Sequence, residues 1–324
     1  MFGLDRSSEA YTIGFILVKD FSMISFASAI EPLRLANQLS NKILYSGICF
    51  SIDGNPIHAS NGLKIVVDGA ISEIKKLDIL FVCSGDNISG SIDKKLLSIL
   101  RHSSSHGTYI GGICTGSYIL AKAGLLNNNR CTIHWQNLAS FAEEFPKLNV
   151  TSSLFEIDNN RYTCAGGTAS IDMMLNIICG REGVNLSTEV ANQMLHHRVR
   201  DGSEAQRMEL RSRLGITHPK LIAVVEAMAE NIEAPLSCVE LSEQVKISSR
   251  QLERLFQKYL NSTPTRYYLE LRLIHTRLLL QQTSLSILSV ALSGGFVSAS
   301  HFSKSYREYF MTTPSSERNY RNYS

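Results

Sequence analysis

From Tyr11 to about Cys179 the chain alternates short apolar runs with longer stretches whose apolar positions recur every three to four residues. Residues 12–18, 48–52, 77–83 and 108–113 are runs rich in Ile, Val, Leu and Phe, which predicts buried strands. Residues 30–36, 92–100 and 117–123 carry helical periodicity. Asn61-Gly62 is a tight-turn pair, so residues 64–67 are expected in a small hairpin. Strand followed by helix, repeated, predicts an α/β domain whose mostly parallel sheet is covered on both faces.

After Gly183 the strand pattern ends. Residues 186–215 read as helix followed by a charged connector through Arg211-Ser212-Arg213, and from His218-Pro219 onward every periodic segment is helical. The expected organisation is an α/β domain over 1–185, a helical connector over 186–219 and an all-α domain over 220–324.

The all-α region contains an internal repeat. Residues 248–264 align with 298–314: Ser248 with Ser298, Leu252 with Phe302, Phe256 with Tyr306, Tyr259 with Tyr309, and Thr263-Pro264 with Thr313-Pro314. A shorter helix and a tight turn precede each copy, with a capping-box spacing at Ser237 and Glu240 and a Gly294-Gly295 turn in the second. Short helix, turn, longer helix is the helix-turn-helix plan, predicted here twice. Residues 264–281 should form one helix between them, with Tyr267, Leu271, Ile274 and Leu278 as its buried stripe.

Periodicity sorts the faces of the longer helices. In the first, Leu252, Leu255, Phe256 and Tyr259 point inward, which leaves Arg250, Arg254 and Lys258 outside with Gln251 and Glu253 beside them. In the second, Phe302, Tyr306 and Phe310 point inward, while Ser300, His301, Lys304 and Arg307 point outward. Arg forks onto guanine O6 and N7, and Gln or Glu reads adenine or cytosine edges. Charge supports a polyanion partner for this region alone. Residues 236–324 carry 11 Lys and Arg against 6 Asp and Glu, whereas the whole 324-residue chain has a net charge of only +3.

With 44% hydrophobic and 19% charged residues the chain can bury two cores and is not disordered. It has no apolar run of the roughly 20 residues a membrane helix needs, and Asp5, Arg6 and Glu9 break the pattern of a secretion signal. A cytoplasmic protein without membrane association is expected. Its seven cysteines contain no Cys-x-x-Cys pair, His196 and His197 point to different helix faces, and His102 and His106 fall at a fraying helix end. No metal is assigned. Phosphate-loop and dinucleotide-binding glycine patterns are absent, so no cofactor is expected.

One cysteine stands apart. Gly112-Ile113-Cys114-Thr115-Gly116 lies between a predicted strand and a predicted helix, the layout of a nucleophile elbow. A thiolate there would be stabilised by the helix dipole. His134, followed by Trp135, and Glu31 in the first predicted helix are the candidates to complete a Cys/His/carboxylate cluster.

The C-terminal region resembles the AraC/XylS family of bacterial transcription regulators, on Gly295-Phe296 through Phe302, Tyr306 through Phe310 and Thr313-Pro314. The resemblance implies DNA-facing roles for Arg250, Glu253, Arg254, Ser300, His301 and Lys304. Met311 departs from it, since glycine is more typical there. Residues 11–180 resemble the ThiJ/PfpI, class I glutamine amidotransferase-like domain, which implies a flavodoxin-like fold and one pocket for Cys114, His134 and Glu31. The fusion resembles the branch of AraC-type regulators that respond to arginine, betaine or carnitine, on residues 26–37 and 195–203. That implies double-stranded DNA, a small cationic or zwitterionic amine as inducer, a homodimer and RNA polymerase as partners, with activation as the family tendency. True amidotransferases carry a late His-x-Glu pair, and this chain contains none. The expected role of the pocket, with Glu31, Cys114, Thr115, His134 and Trp135 as ligand-binding residues, is sensing rather than catalysis. The alternative is a cysteine-dependent hydrolase or amidase with an accessory DNA-binding domain.

Overall fold

The computed structural model describes residues 10–85, 92–206 and 218–320. The charged run at 211–213 lies outside them. The chain divides into two compact units, Met1–Gln206 and Arg207–Ser324.

In the first unit the strands are β1 (Tyr11–Leu17), β2 (Tyr45–Ser51), β3 (Ile57–His58), β4 (Lys64–Ile65), β5 (Gly69–Ala70), β6 (Ile79–Cys83), β7 (Tyr109–Ile113), β8 (Arg130–Cys131), β9 (Asn149–Val150), β10 (Phe155–Asp158) and β11 (Arg161–Cys164). Seven of them form one sheet in the order β10-β11-β7-β6-β1-β2-β5. Every pairing in it is parallel except β10 with β11. This is the doubly wound plan that the sequence pattern predicts. β3 and β4 make the expected hairpin around Asn61-Gly62.

Helices α1 (Met23–Ser40), α5 (Ala169–Glu182) and α6 (Val184–Gln193) build one core against the sheet, around Phe15, Phe81, Leu33 and Met173. Helices α2 (Lys94–Ser105) and α3 (Gly116–Lys122) build the other, around Ile16, Leu80, Leu100 and Ile119, with α4 (Leu138–Glu144) at its margin. All five residues of β6 are buried because both faces of the strand are covered. Helix α6 and the strap that follows it, assigned to the connector by sequence pattern, pack on the first unit. Ser187 Oγ donates to Leu175 O at 2.8 Å, and Leu154 N donates to Gly202 O at 2.8 Å.

The second unit comprises α7 (Pro219–Glu230), α8 (Cys238–Gln244), α9 (Ser249–Leu260), α10 (Pro264–Gln282), α11 (Ile287–Ser293), α12 (Ala299–Phe310) and α13 (Pro314–Tyr320). Helices α8 and α9 form one helix-turn-helix, α11 and α12 the other. The turn spans residues 245–248 in the first and 294–298 in the second, one residue longer.

Each helix-turn-helix has its own core. Leu221, Val224, Leu241, Leu252, Phe256 and Tyr268 fill one, and Leu273, Leu280, Val290, Phe296, Phe302 and Tyr306 fill the other. Helix α10 serves both, which corrects the single stripe expected from periodicity. Its first half turns Tyr268 into one core, its second half turns Leu273 and Leu280 into the next, and Ile274 is left 46% exposed. Tyr259, expected inside, is 38% exposed and stands beside the His218 ring instead, at 5.8 Å between centroids.

Candidate nucleic-acid interface and elbow pocket

The outward faces of α9 and α12 carry the side chains that the repeat assigns to them. Arg250, Gln251, Glu253, Arg254 and Lys258 are exposed on α9, and Ser300, His301, Lys304 and Arg307 are exposed on α12. Arg250 and Arg254 form no ion pair among the described residues, so their charge is available to an incoming anion. Arg254 and Lys258 border a groove with His218 and Lys220 from the start of α7, which widens the basic face beyond α9. Gln251 is partly committed: its Oε1 accepts from Ser248 N at 2.9 Å, closing a capping box at the start of α9. Only its amide nitrogen is left to face a base edge.

Sequence periodicity gave no sign of what fixes the two helix-turn-helix units to their common strut. Arg272 of α10 donates from Nε to Gly294 O and from Nη2 to Gly295 O, both at 2.7 Å, and stacks on Phe296 with 4.3 Å between guanidinium and ring centre. It thereby holds the second turn against the strut. Tyr268 of the same helix donates its hydroxyl to Asn231 O at 2.5 Å and accepts from Leu236 N at 3.3 Å, which ties the strut to the segment between α7 and α8 that leads into the first helix-turn-helix. Arg272 is one of many charged residues on a helix, and only the fold turns it onto carbonyls.

At the carboxyl edge of the sheet, Cys114 follows β7 with φ = 60°, the left-handed conformation of an elbow, and is 6% exposed. Glycine is required on either side. A Cβ on Gly116 would lie 2.0 Å from Val82 O, and one on Gly112 would lie 2.6 Å from Ser117 N. Thr115 is buried, its hydroxyl donating to Gly85 O at 2.5 Å.

Helix α1 brings Ser25 to this elbow. Gly167 N donates to Ser25 Oγ at 2.7 Å, and a Cβ on Gly166 would meet both Cys114 Cβ at 2.7 Å and Ser25 Oγ at 2.8 Å. Glu31 sits six residues farther along α1, about 9 Å up the axis and about 120° around it. Its carboxylate pairs with Arg34 at 2.8 Å on a partly exposed surface. The fold thus offers the elbow a hydroxyl from α1 rather than the expected Glu31 carboxylate. His134 and Trp135 are half-buried neighbours, 5.6 Å between ring centres. Their segment runs beside the same strand ends, since Thr132 N donates to Thr163 Oγ1 at 2.9 Å and Thr163 pairs in register with Gly112. Ser84 Oγ and Ser117 Oγ are buried at this edge and have no hydrogen-bond partner among the described residues.

A second polar cluster here was not legible in the sequence. Asp172, in the first turn of α5, is fully buried. Its Oδ1 accepts from His196 Nε2 and Arg200 N, each at 2.8 Å, and its Oδ2 accepts from Arg200 Nε at 3.0 Å and Nη2 at 2.6 Å. Arg200 Nη2 also donates to Thr168 Oγ1 at 2.9 Å, on the loop that carries Gly166 and Gly167. Farther along the strap, Gln206 Nε2 donates to Ile133 O and Ser153 O at 2.9 Å, next to His134.

Comparison with known proteins places both halves. Residues 12–179 match the DJ-1/PfpI family profile, and residues 241–320 match a helix-turn-helix domain. The chain is 46% identical over 313 residues to the HTH-type transcriptional regulator GbdR of Pseudomonas aeruginosa, covering 97% of this chain and 85% of that protein. Over 304 residues it is 44% identical to the HTH-type transcriptional regulator CdhR of the same species, covering 94% and 90%. The chain belongs to the AraC-type transcriptional regulators that carry a DJ-1/PfpI domain. The crystal structure of an AraC family transcriptional regulator from Pseudomonas putida is 30% identical to this regulator with a TM-score of 0.53, covering 57% of it and 99% of that chain.

The protein is therefore a DNA-binding transcriptional regulator, and α9 and α12 both lie within its matched helix-turn-helix domain. Helix α10, 19 residues long, spans about 28 Å, within reach of two adjacent major-groove segments on one face of B-DNA. No helix among the described residues is long and apolar enough to cross a membrane.

Proposed function

We propose that the regulator is an activator that senses a small amine-bearing metabolite, cationic or zwitterionic, at the elbow pocket around Cys114, Thr115, His134 and Trp135, and that it acts as a homodimer engaging RNA polymerase. The observation that carries this reading is the strap at residues 196–206. The last residues before the DNA-binding unit are hydrogen-bonded to both loops that border the pocket, through Arg200 to Thr168 and Asp172, and through Gln206 to Ile133 and Ser153. A ligand that moves either loop changes the hold on the strap, and so couples occupancy of the pocket to the reader. Trp135 offers an aromatic face to a cation, and the hydroxyls of Ser84 and Ser117, without a hydrogen-bond partner among the described residues, offer polar contacts.

With Glu31 held by Arg34, the pocket lacks the carboxylate that a Cys/His hydrolase would draw from α1. The left-handed Cys114 elbow is what favours the second reading, a cysteine-dependent hydrolase. Calorimetric titration of the purified protein with arginine, betaine and carnitine tests the sensing role. Heat from at least one of them, lost in a Trp135→Ala variant, is expected, and no heat from any of the three removes this ligand class. A Cys114→Ala variant should keep DNA binding. If wild-type protein turns over an amide substrate and this variant does not, the enzyme reading replaces the sensor.

A further inference from the structure

We infer that the regulator has a second small-molecule site, for a small planar carboxylate, at the amino edge of the sheet, on the opposite side of the fold from Cys114. Tyr11 opens β1, Tyr109 opens β7 and Tyr162 follows the start of β11, so the three phenols converge where these parallel strands begin. The last turns of α5 close the other wall with Asn176 and Arg181, leaving a cavity of about 120 Å³. Tyr109 and Tyr162 stack with 6.1 Å between centroids, and the Arg181 guanidinium lies 3.6 Å over the Tyr11 ring.

The polar inventory of this cavity is one-sided. Arg181 forms no ion pair among the described residues, where its Nε is buried without a hydrogen-bond partner, and its guanidinium also acts on the buried Tyr45 hydroxyl. Burial pushes the Tyr162 phenol up to about 12 and raises that of Tyr11 as well, so both remain donors at neutral pH. The acids nearby do not fill the role of acceptor. Neither lines the cavity: Asp78 accepts from Thr12 N at 2.7 Å and Thr12 Oγ1 at 2.9 Å through Oδ2, and Glu182 is exposed at the helix end. A guanidinium and phenolic hydroxyls on a wall that carries no carboxylate fit an anion. The flat aromatic walls select a planar one, between acetate and benzoate in size.

Benzoate, acetate and sulfate at matched ionic strength, added to the full-length protein, test this. Benzoate at about twenty times its Kd should raise the melting temperature of the first unit by about 4 °C. Arg181→Met, which keeps an unbranched side chain but removes the guanidinium, should weaken benzoate binding by about tenfold or more. Tyr109→Phe, which keeps the ring and removes one donor, should weaken it several-fold without changing the fold. Absence of any benzoate effect on the wild-type protein overturns the site, as does equal binding by both variants. A sulfate effect equal to that of benzoate overturns the carboxylate class.

Discussion

Replacing Arg200 with alanine breaks the strap where it meets the fully buried Asp172 carboxylate. The substitution removes the contacts from Nε and Nη2 to Asp172 at 3.0 and 2.6 Å and leaves a carboxylate with no solvent exposure held only by His196 and a backbone N–H. Breaking a buried pair from one side costs about 3–5 kcal/mol. The Arg200 side chain is itself 27% exposed and His196 remains 2.8 Å away, so the lower end, about 3 kcal/mol, applies. In a unit of this size that corresponds to a fall of about 6–12 °C in melting temperature. The assay is a double-mutant cycle of melts with Arg200→Ala, Asp172→Asn and the double variant. A coupling of at least about 1.5 kcal/mol is expected. The single variant should also lose the response of DNA occupancy to inducer while still binding operator. A melting temperature within about 2 °C of wild type, or single effects that simply add, would refute the reasoning.

Arg254→Ala should cost about 1–3 kcal/mol on operator DNA and relax specificity at one base position, whereas Lys258→Ala should weaken all sequences alike and lower the salt slope by about one; binding to operator and random fragments across a salt series separates the two roles. His275, on α10, is held below its ordinary value of 6.5 chiefly by burial, with Glu233 opposing the shift. The unfolded chain therefore binds a proton that the folded chain refuses, so the second unit should lose stability as pH falls below 6.5, with a shallower dependence in His275→Gln, as read by melts across pH. Met311 caps α12 in the left-handed region at φ = 57° and is 85% exposed, so Met311→Gly should stabilise the second unit by about 0.5–1 kcal/mol in chemical denaturation.

Strands buried on both faces and the longer helix of each helix-turn-helix were legible in the sequence because burial there follows a single period. β6 is uniformly apolar, and Leu252 with Phe256 and Phe302 with Tyr306 recur at one helical turn. Helix α10 was read less well because it faces two cores in succession, so no single stripe describes it. Met311 shows the repeat holding where composition departs from it: it takes the left-handed cap that Asn261 takes fifty positions earlier. The elbow glycines and Cys114 were readable from spacing. Ser25 was not, because a serine inside a helix announces no partner, whereas Glu31 drew attention by its charge and proved to be engaged by a neighbour on its own helix. Asp172, Arg200 and Gln206 could not be connected in advance. Their meeting depends on the path of a strap without regular secondary structure, and only the lone carboxylate within the apolar run of α5 hints at it.

Two readers on one strut are expected to engage one duplex in a sequence-dependent way. Footprinting of the purified protein on DNA fragments selected by it tests this most directly. The account predicts, for each bound copy, two protected major-groove segments about one helical turn apart, with protection of one reduced by Arg254→Ala and of the other by Lys304→Ala. Recovery of no preferred sequence, or a single protected segment that both substitutions weaken equally, would contradict it.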